Sequence, residues 1–187
     1  MRFFFIHFIA LLFQYESSWA MDWGGHVVPL NVPVPVADNL DLNRYAGKWY
    51  EIVRMQQFFE HDCAGVTAEY SLRSDGKVDV TNTCRKNSCE GKVKIAHGVG
   101  RVADPFDHSK LKVSFFWPFE ADYWVLEVDP NYSIAVVGSP DRKSFWILSR
   151  SPKIGYLSLM SIIQRFQQNG YLTDKTSKKL VFTQPCE

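Results

Sequence analysis

The sequence lacks a surplus of charge of either sign. Lys and Arg number 21, Asp and Glu 20, and the net charge is +1. Net charge therefore argues for neither nucleic acid nor an anionic membrane surface as a partner. The chain also lacks an apolar stretch of the ~20 residues that a membrane-spanning helix needs; the run Phe3 to Phe13 falls short. Its four cysteines, Cys63, Cys84, Cys89 and Cys186, lack the spacing of a zinc site, and no neighbouring His completes one. No Ser/His/Asp constellation or paired-carboxylate motif stands out, so the usual signs of a hydrolase are missing. Haem needs an axial ligand, most often His. His61 and His108 fall in expected loops, and His97 sits on an expected strand without a supporting motif. No metal and no cofactor is expected.

What the chain does have is aromatic rings. Phe, Tyr and Trp make up 15% of its 187 residues, and so many rings need a core, a cavity or an interface. The length fits one domain with some extra sequence and is enough for a sizeable core. The start, MRFFFIHFIALLFQYESSWA, has a basic Arg2, an apolar run, and small residues Ser18 and Ala20 at cleavage-site spacing. It reads as a secretory signal over residues 1–20. No Cys precedes Cys63, so a bacterial lipid-attachment cysteine is not expected. Four cysteines in an exported chain read as two disulfides, with three pairings open. Closeness in sequence favours Cys84 with Cys89, which leaves Cys63 to meet Cys186 and pin the C-terminal tail.

Prolines in VVPLNVPVPVADNLDL, residues 27–42, exclude a helix or a central strand there. Residues 21–37 therefore read as an extended leader before a domain over 38–187. Eight short strand-like runs follow, separated by turn signals. They are Lys48 to Arg54, Ala64 to Leu72, Val78 to Arg85, Val93 to Val102, Leu111 to Trp117, Tyr123 to Val128, Ile134 to Val137 and Phe145 to Ser149. This spacing predicts an antiparallel barrel or sandwich. One segment, Leu157 to Asn169, repeats apolar Leu159, Ile162, Ile163 and Phe166 at helical spacing, and Gly170 ends it. An amphipathic helix at that place must cover the outside of the sheet, which calls for outward apolar residues on the later strands.

Alternation assigns the inner face. Leu111, Val113, Phe115 and Trp117 share one face, as do Trp146, Leu148 and Arg150, and Val80, Asn82 and Cys84. Eight strands closed on themselves enclose room for one small ligand and need a plug at one end. Trp49 enters the first strand and Arg150 leaves the last, so in an up-and-down barrel they meet at the same end. A guanidinium over an indole is worth ~0.5–2 kcal/mol.

NRYAGKWYEI, with Gly47 and Trp49 as its fixed points, resembles the first signature of the lipocalins. Asp129-Pro130-Asn131-Tyr132 stands where the second lies, and WILSRSP, with Arg150, resembles the third. LKVSFFWPF, DYWVLEVDPNY and PDRKSFWILSRSP are similar in style to the bacterial lipocalin and apolipoprotein D branch. The resemblance spans roughly residues 38–185. It implies an all-β fold, an eight-stranded antiparallel up-and-down barrel with one C-terminal helix packed outside. It implies a floor made by Gly47, Trp49 and Arg150, and it supports pairing Cys63 with Cys186.

The resemblance further implies a carrier, not an enzyme, for a small hydrophobic ligand outside the cytoplasm. A fatty acid or lysophospholipid is expected, in a role such as membrane lipid maintenance. Parity and resemblance together place Tyr70, Val80, Phe115, Tyr123, Trp146 and Leu148 in the calyx. Lys86, beside Arg85, would pair a headgroup at the open end. The alternatives are a tetrapyrrole carrier of the bilin type and a lipocalin-type enzyme using Cys84 as its thiol. The apolar residues Phe58, Phe59, Phe116, Trp117 and Phe119 near the mouth suggest peripheral membrane contact or a homodimer. The location expected is periplasmic or secreted, or at the outer membrane without an N-terminal lipid anchor.

Overall fold

The computed structural model describes residues 19–21, 27–29, 32–56, 62–183 and 185–186. The run Phe3 to Phe13 lies outside the described residues, as do Phe58, Phe59 and His61. Contacts divide the chain into Met1–Val32 and Pro33–Glu187. In the first unit, β1 (Trp19–Met21) pairs antiparallel with β2 (Val27–Pro29). An extended leader over residues 21–37 was expected there. Pro29 is tolerated because it ends a strand in a two-stranded pair, where a missing N–H breaks no inner ladder.

The second unit opens with α1 (Leu42–Tyr45), capped by the Asp41 carboxylate, which accepts from the Asn43 and Arg44 N–H groups. Strands β3 (Gly47–Met55), β4 (Cys63–Leu72), β5 (Val78–Lys86), β6 (Val93–Asp104), β7 (Asp107–Phe116), β8 (Phe119–Val128), β9 (Ile134–Gly138) and β10 (Phe145–Ser149) follow. Each pairs antiparallel with the next, and β10 pairs back onto β3, closing a barrel and excluding the sandwich. His108, expected in a loop, lies on β7. After the barrel come α2 (Tyr156–Gln168), α3 (Asp174–Ser177) and β11 (Leu180–Phe182). Among the described residues no helix is long and apolar enough to cross a membrane.

The pleat sorts apolar side chains into two clusters. One fills the barrel around Trp49, Tyr70, Val80, Val113, Val137 and Leu148. The other lies outside, where Leu159, Ile162, Ile163 and Phe166 of α2 cover Val53, Val136, Phe145 and Ile147. The helix thus packs on the outward apolar residues that its own periodicity called for. Gly170, at φ +71, ends it in a conformation that L side chains rarely adopt. Beyond it Tyr171 bonds the Ser139 and Ser144 carbonyls at 2.8 and 2.9 Å. A Cβ on Gly138 would lie 2.0 Å from that hydroxyl, so the strand must carry glycine there.

The C-terminal tail completes the wall. Pairing of β3 with β4 stops at Tyr50 and Thr67, and β11 takes the freed edge of β3 from Val53 to Met55. The disulfides correct the expected pairing. Cys63 bonds Cys84 and Cys89 bonds Cys186. Cys63 stands opposite Lys86 on the neighbouring strand, two residues along from Cys84, so the β4–β5 hairpin brings those two together. Cys89 instead sits in the β5–β6 connection, where the tail arrives over Gly65. A Cβ on Gly65 would fall 2.1 Å from the Cys186 sulfur.

Candidate functional site

The closed end of the barrel is built from three separated stretches. Trp49 is fully buried, and its indole N–H donates to the Tyr45 carbonyl at 2.8 Å. The Arg150 guanidinium lies over the indole, 3.8 Å from its centroid. It donates to the carbonyls of Arg44, Tyr45, Ala46 and Lys48 at 2.7–3.1 Å, and to that of Tyr132 at 3.3 Å. Three of them, on Arg44, Tyr45 and Ala46, stand at the end of α1, where carbonyls lack intrahelical donors and a cation is favoured. Gly47, at φ +92, would carry a Cβ 3.3 Å from that guanidinium. Tyr132 belongs to the turn after β8, where Asp129 accepts from the N–H groups of Asn131, Ser133 and Ile134. Its hydroxyl accepts from the Asp41 N–H at 2.9 Å. The three stretches resembling lipocalin signatures thus form one plug.

Above the plug, three phenols form a chain. Tyr45 and Tyr70 each share a hydrogen bond with Tyr123, at 2.7 and 2.8 Å between hydroxyls. Burial, then the neighbouring tyrosines, lift the Tyr123 phenol well above its ordinary pKa. Burial does the same to Tyr45, with Tyr70 adding to the lift, while the Tyr123 bond and Arg150 oppose it. Tyr45 and Tyr123 therefore stay neutral at physiological pH and offer hydroxyls, not phenolates. The cavity among Leu42, Tyr45, Tyr70, Val80, Leu111 and Tyr123 is about 20 Å³, room for about one water. Rings therefore fill most of the lower barrel.

The upper barrel differs. Gly98 and Gly100 lie opposite inward Val80 and Val78, so Ala96 is also inward, yet it is solvent-exposed. The interior is open at that height. Phe115 folds in over Gly98, where an added Cβ would lie 2.9 Å from its ring. Trp146 packs on the interior cluster from the other side. The site residues expected from the sequence therefore sit as follows. Tyr70, Val80 and Leu148 are in the core, Tyr123 and Trp146 pack against it half-buried, and Phe115 is at the mouth, 36% exposed. Trp117, expected inward, is 91% exposed. It stands beyond the last pair of β7 and β8, Phe116 with Phe119, where no pleat sets its direction. Lys86 lies on the rim, 3.8 Å from the Asp62 carboxylate. Cys84 is bonded to Cys63 and supplies no thiol, which removes the enzyme alternative built on it. His97 shares a 3.2 Å hydrogen bond with Thr81, is exposed, and reaches no interior site.

Sequence reasoning missed one interior feature. Glu51 stands opposite Leu148 and Arg54 opposite Trp146, so both face inward despite their odd spacing. A bulge at Ile52 makes this possible: Ile147 pairs with Val53 and the next residue, Leu148, with Glu51. Both side chains are buried and bond at 2.7 Å. The strand segment Lys48 to Arg54, read by simple alternation, puts them on opposite faces.

Residues 40–180 match the family model described as a lipocalin-like domain. The chain is a lipocalin. This lipocalin is 39% identical over 142 residues to the outer membrane lipoprotein Blc of Vibrio cholerae, a match covering 75% of this chain and 82% of that protein. It is 35% identical over 125 residues to apolipoprotein D of Bos taurus, covering 63% and 65%. Similarity to both places the lipocalin in the bacterial lipocalin and apolipoprotein D branch. Its fold matches the structure of insecticyanin from the tobacco hornworm Manduca sexta, with a TM-score of 0.61 and 24% identity over 83% of this chain and 85% of that one.

Proposed function

We propose that this lipocalin binds and carries a small hydrophobic ligand outside the cytoplasm, a fatty acid or lysophospholipid, and is not an enzyme. The observation that carries this reading is a barrel plugged at Trp49 and open to solvent at Ala96, with aromatic and aliphatic side chains between. Burial of an acyl chain gives ~0.8 kcal/mol per methylene. Because rings fill the base, the chain lies in the upper half, against Phe115, Trp146 and Leu148, with its headgroup at the rim near Lys86. An exported location is supported by two disulfides, by the apolar N-terminal run, and by similarity to proteins named outer membrane lipoproteins.

The test is titration of the delipidated protein with a fluorescent fatty acid, followed by displacement with lysophospholipid. Saturable binding near one per chain, weakened by Trp146→Ala with the fold intact, is the expected result. Folded protein that binds neither lipid refutes the reading. Uptake of a bilin in its place, seen by absorbance, would select the tetrapyrrole alternative.

A further inference from the structure

The β7–β8 hairpin ends in rings that the fold does not use. Phe116 is 81% exposed, Trp117 91% and Phe119 76%. The tip stands at the open end, since β7 runs away from the plug. On the adjoining strand, inward Gly98 and Gly100 leave Val93 and Ile95 facing out, 42% and 58% exposed. These two lie at the open-end start of β6. α2 covers a different part of the wall, packing on β3, β9 and β10. Among the described residues nothing covers this apolar corner.

Beside it the rim is basic. Arg85, Lys86, Lys92 and Lys94 stand around the β5–β6 connection against the carboxylates of Asp62 and Glu90. Asp62 is shared, 3.1 Å from Lys94 and 3.8 Å from Lys86. A balanced net charge thus conceals, among the described residues, a local excess of cations at the open end.

We propose that this corner docks the open end of the barrel on an anionic lipid bilayer, with Phe116, Trp117 and Phe119 at the headgroup level and the basic rim against lipid phosphates. Trp and Phe are suited to that interface. An apolar wedge together with a cationic patch supplies the two signals that peripheral binding needs. A second copy of the chain fits less well, because a two-fold contact at this corner sets the cationic rim against itself. Docking here brings the barrel mouth to the bilayer surface. It goes beyond ligand carriage and is tested without ligand.

The experiment is co-sedimentation of the protein with phosphatidylcholine vesicles, with and without phosphatidylglycerol. Binding to the anionic vesicles is expected, weakened by salt and by about fivefold for each cation lost in Lys86→Gln and Lys92→Gln. The Phe116→Ser/Trp117→Ser/Phe119→Ser variant, whose unchanged circular dichroism confirms its fold, should lose it by more than about tenfold. No binding by the wild type, or equal binding by the triple variant, overturns the proposal. So does a dimer in sedimentation velocity that the triple variant dissolves while vesicles are ignored.

Discussion

Glu51 and Arg54, three residues apart on one strand, both face the barrel interior and bond to each other at 2.7 Å. Removing one partner of a buried ion pair typically costs ~3–5 kcal/mol. Glu51→Ala is therefore expected to lower unfolding stability by about that much in a denaturant titration. Replacing both residues with apolar side chains of similar volume should cost far less. Equal losses in the single and double variants would show instead that the cost is the lost pair and not a stranded charge.

At the plug, Trp49→Ala removes the largest fully buried side chain and the surface on which Arg150 rests. A loss of ~3–5 kcal/mol is expected from the cavity. Arg150→Lys keeps the charge but loses the planar fork that reaches the carbonyls around the α1 terminus. It should destabilise the protein measurably, whereas a surface lysine exchange would not. Chemical denaturation followed by tryptophan fluorescence separates the two cases.

Stability should fall at both ends of the pH scale, for separate reasons. Burial raises Tyr45 and Tyr123 well above the ordinary phenol value and pushes Tyr171 up to about 12. The folded state holds these protons more tightly than the unfolded chain. Their contribution is complete below the unfolded value, about 10, and is lost as pH rises from there through the folded values. Tyr123→Phe should flatten the alkaline slope of a melting-temperature profile. At the acid end, burial raises Asp129, but N–H bonds from Ile134, Ser133 and Asn131 and the Ser133 hydroxyl together hold it below its usual range. Its contribution is present above about 3.9 and is lost as pH falls through the folded value. Asp129→Ala should remove that part of the acid dependence.

Cys89 and Cys186 are separated by 97 residues, and opening a loop of that length costs up to about 4.7 kcal/mol in the chain-entropy model. Peptide mapping without reduction should recover Cys63 with Cys84 and Cys89 with Cys186. Cys89→Ser/Cys186→Ser should lower stability and speed proteolysis of residues after Thr173, while the β4–β5 hairpin keeps its own bond.

Much of this arrangement was legible before any coordinates. The two-residue period, together with the family resemblance, carried Tyr70, Val80, Tyr123, Trp146 and Leu148 to the interior, because the pleat leaves no other choice along an uninterrupted strand. The floor pair was legible because up-and-down topology fixes which strand ends are neighbours. Alternation failed where pairing is interrupted, at the Ile52 bulge that turns Glu51 and Arg54 inward together and beyond Phe116, where Trp117 escapes the ladder. The disulfides were misread because closeness in sequence does not measure distance across a register. The filled base was not legible at all, since the room left among Tyr45, Tyr70 and Tyr123 depends on how three rings tilt against one another.

The strand that seals the wall beside β3 is made after every strand of the barrel it seals. Until Leu180 to Phe182 leaves the ribosome, the upper edge of β3 has no β11 to pair with, and β10, which closes the other side, precedes it only by the outer helices. β10 can close the barrel on one side of β3 before β11 exists, but the stretch of β3 from Val53 to Met55 keeps an open edge until the chain returns to it.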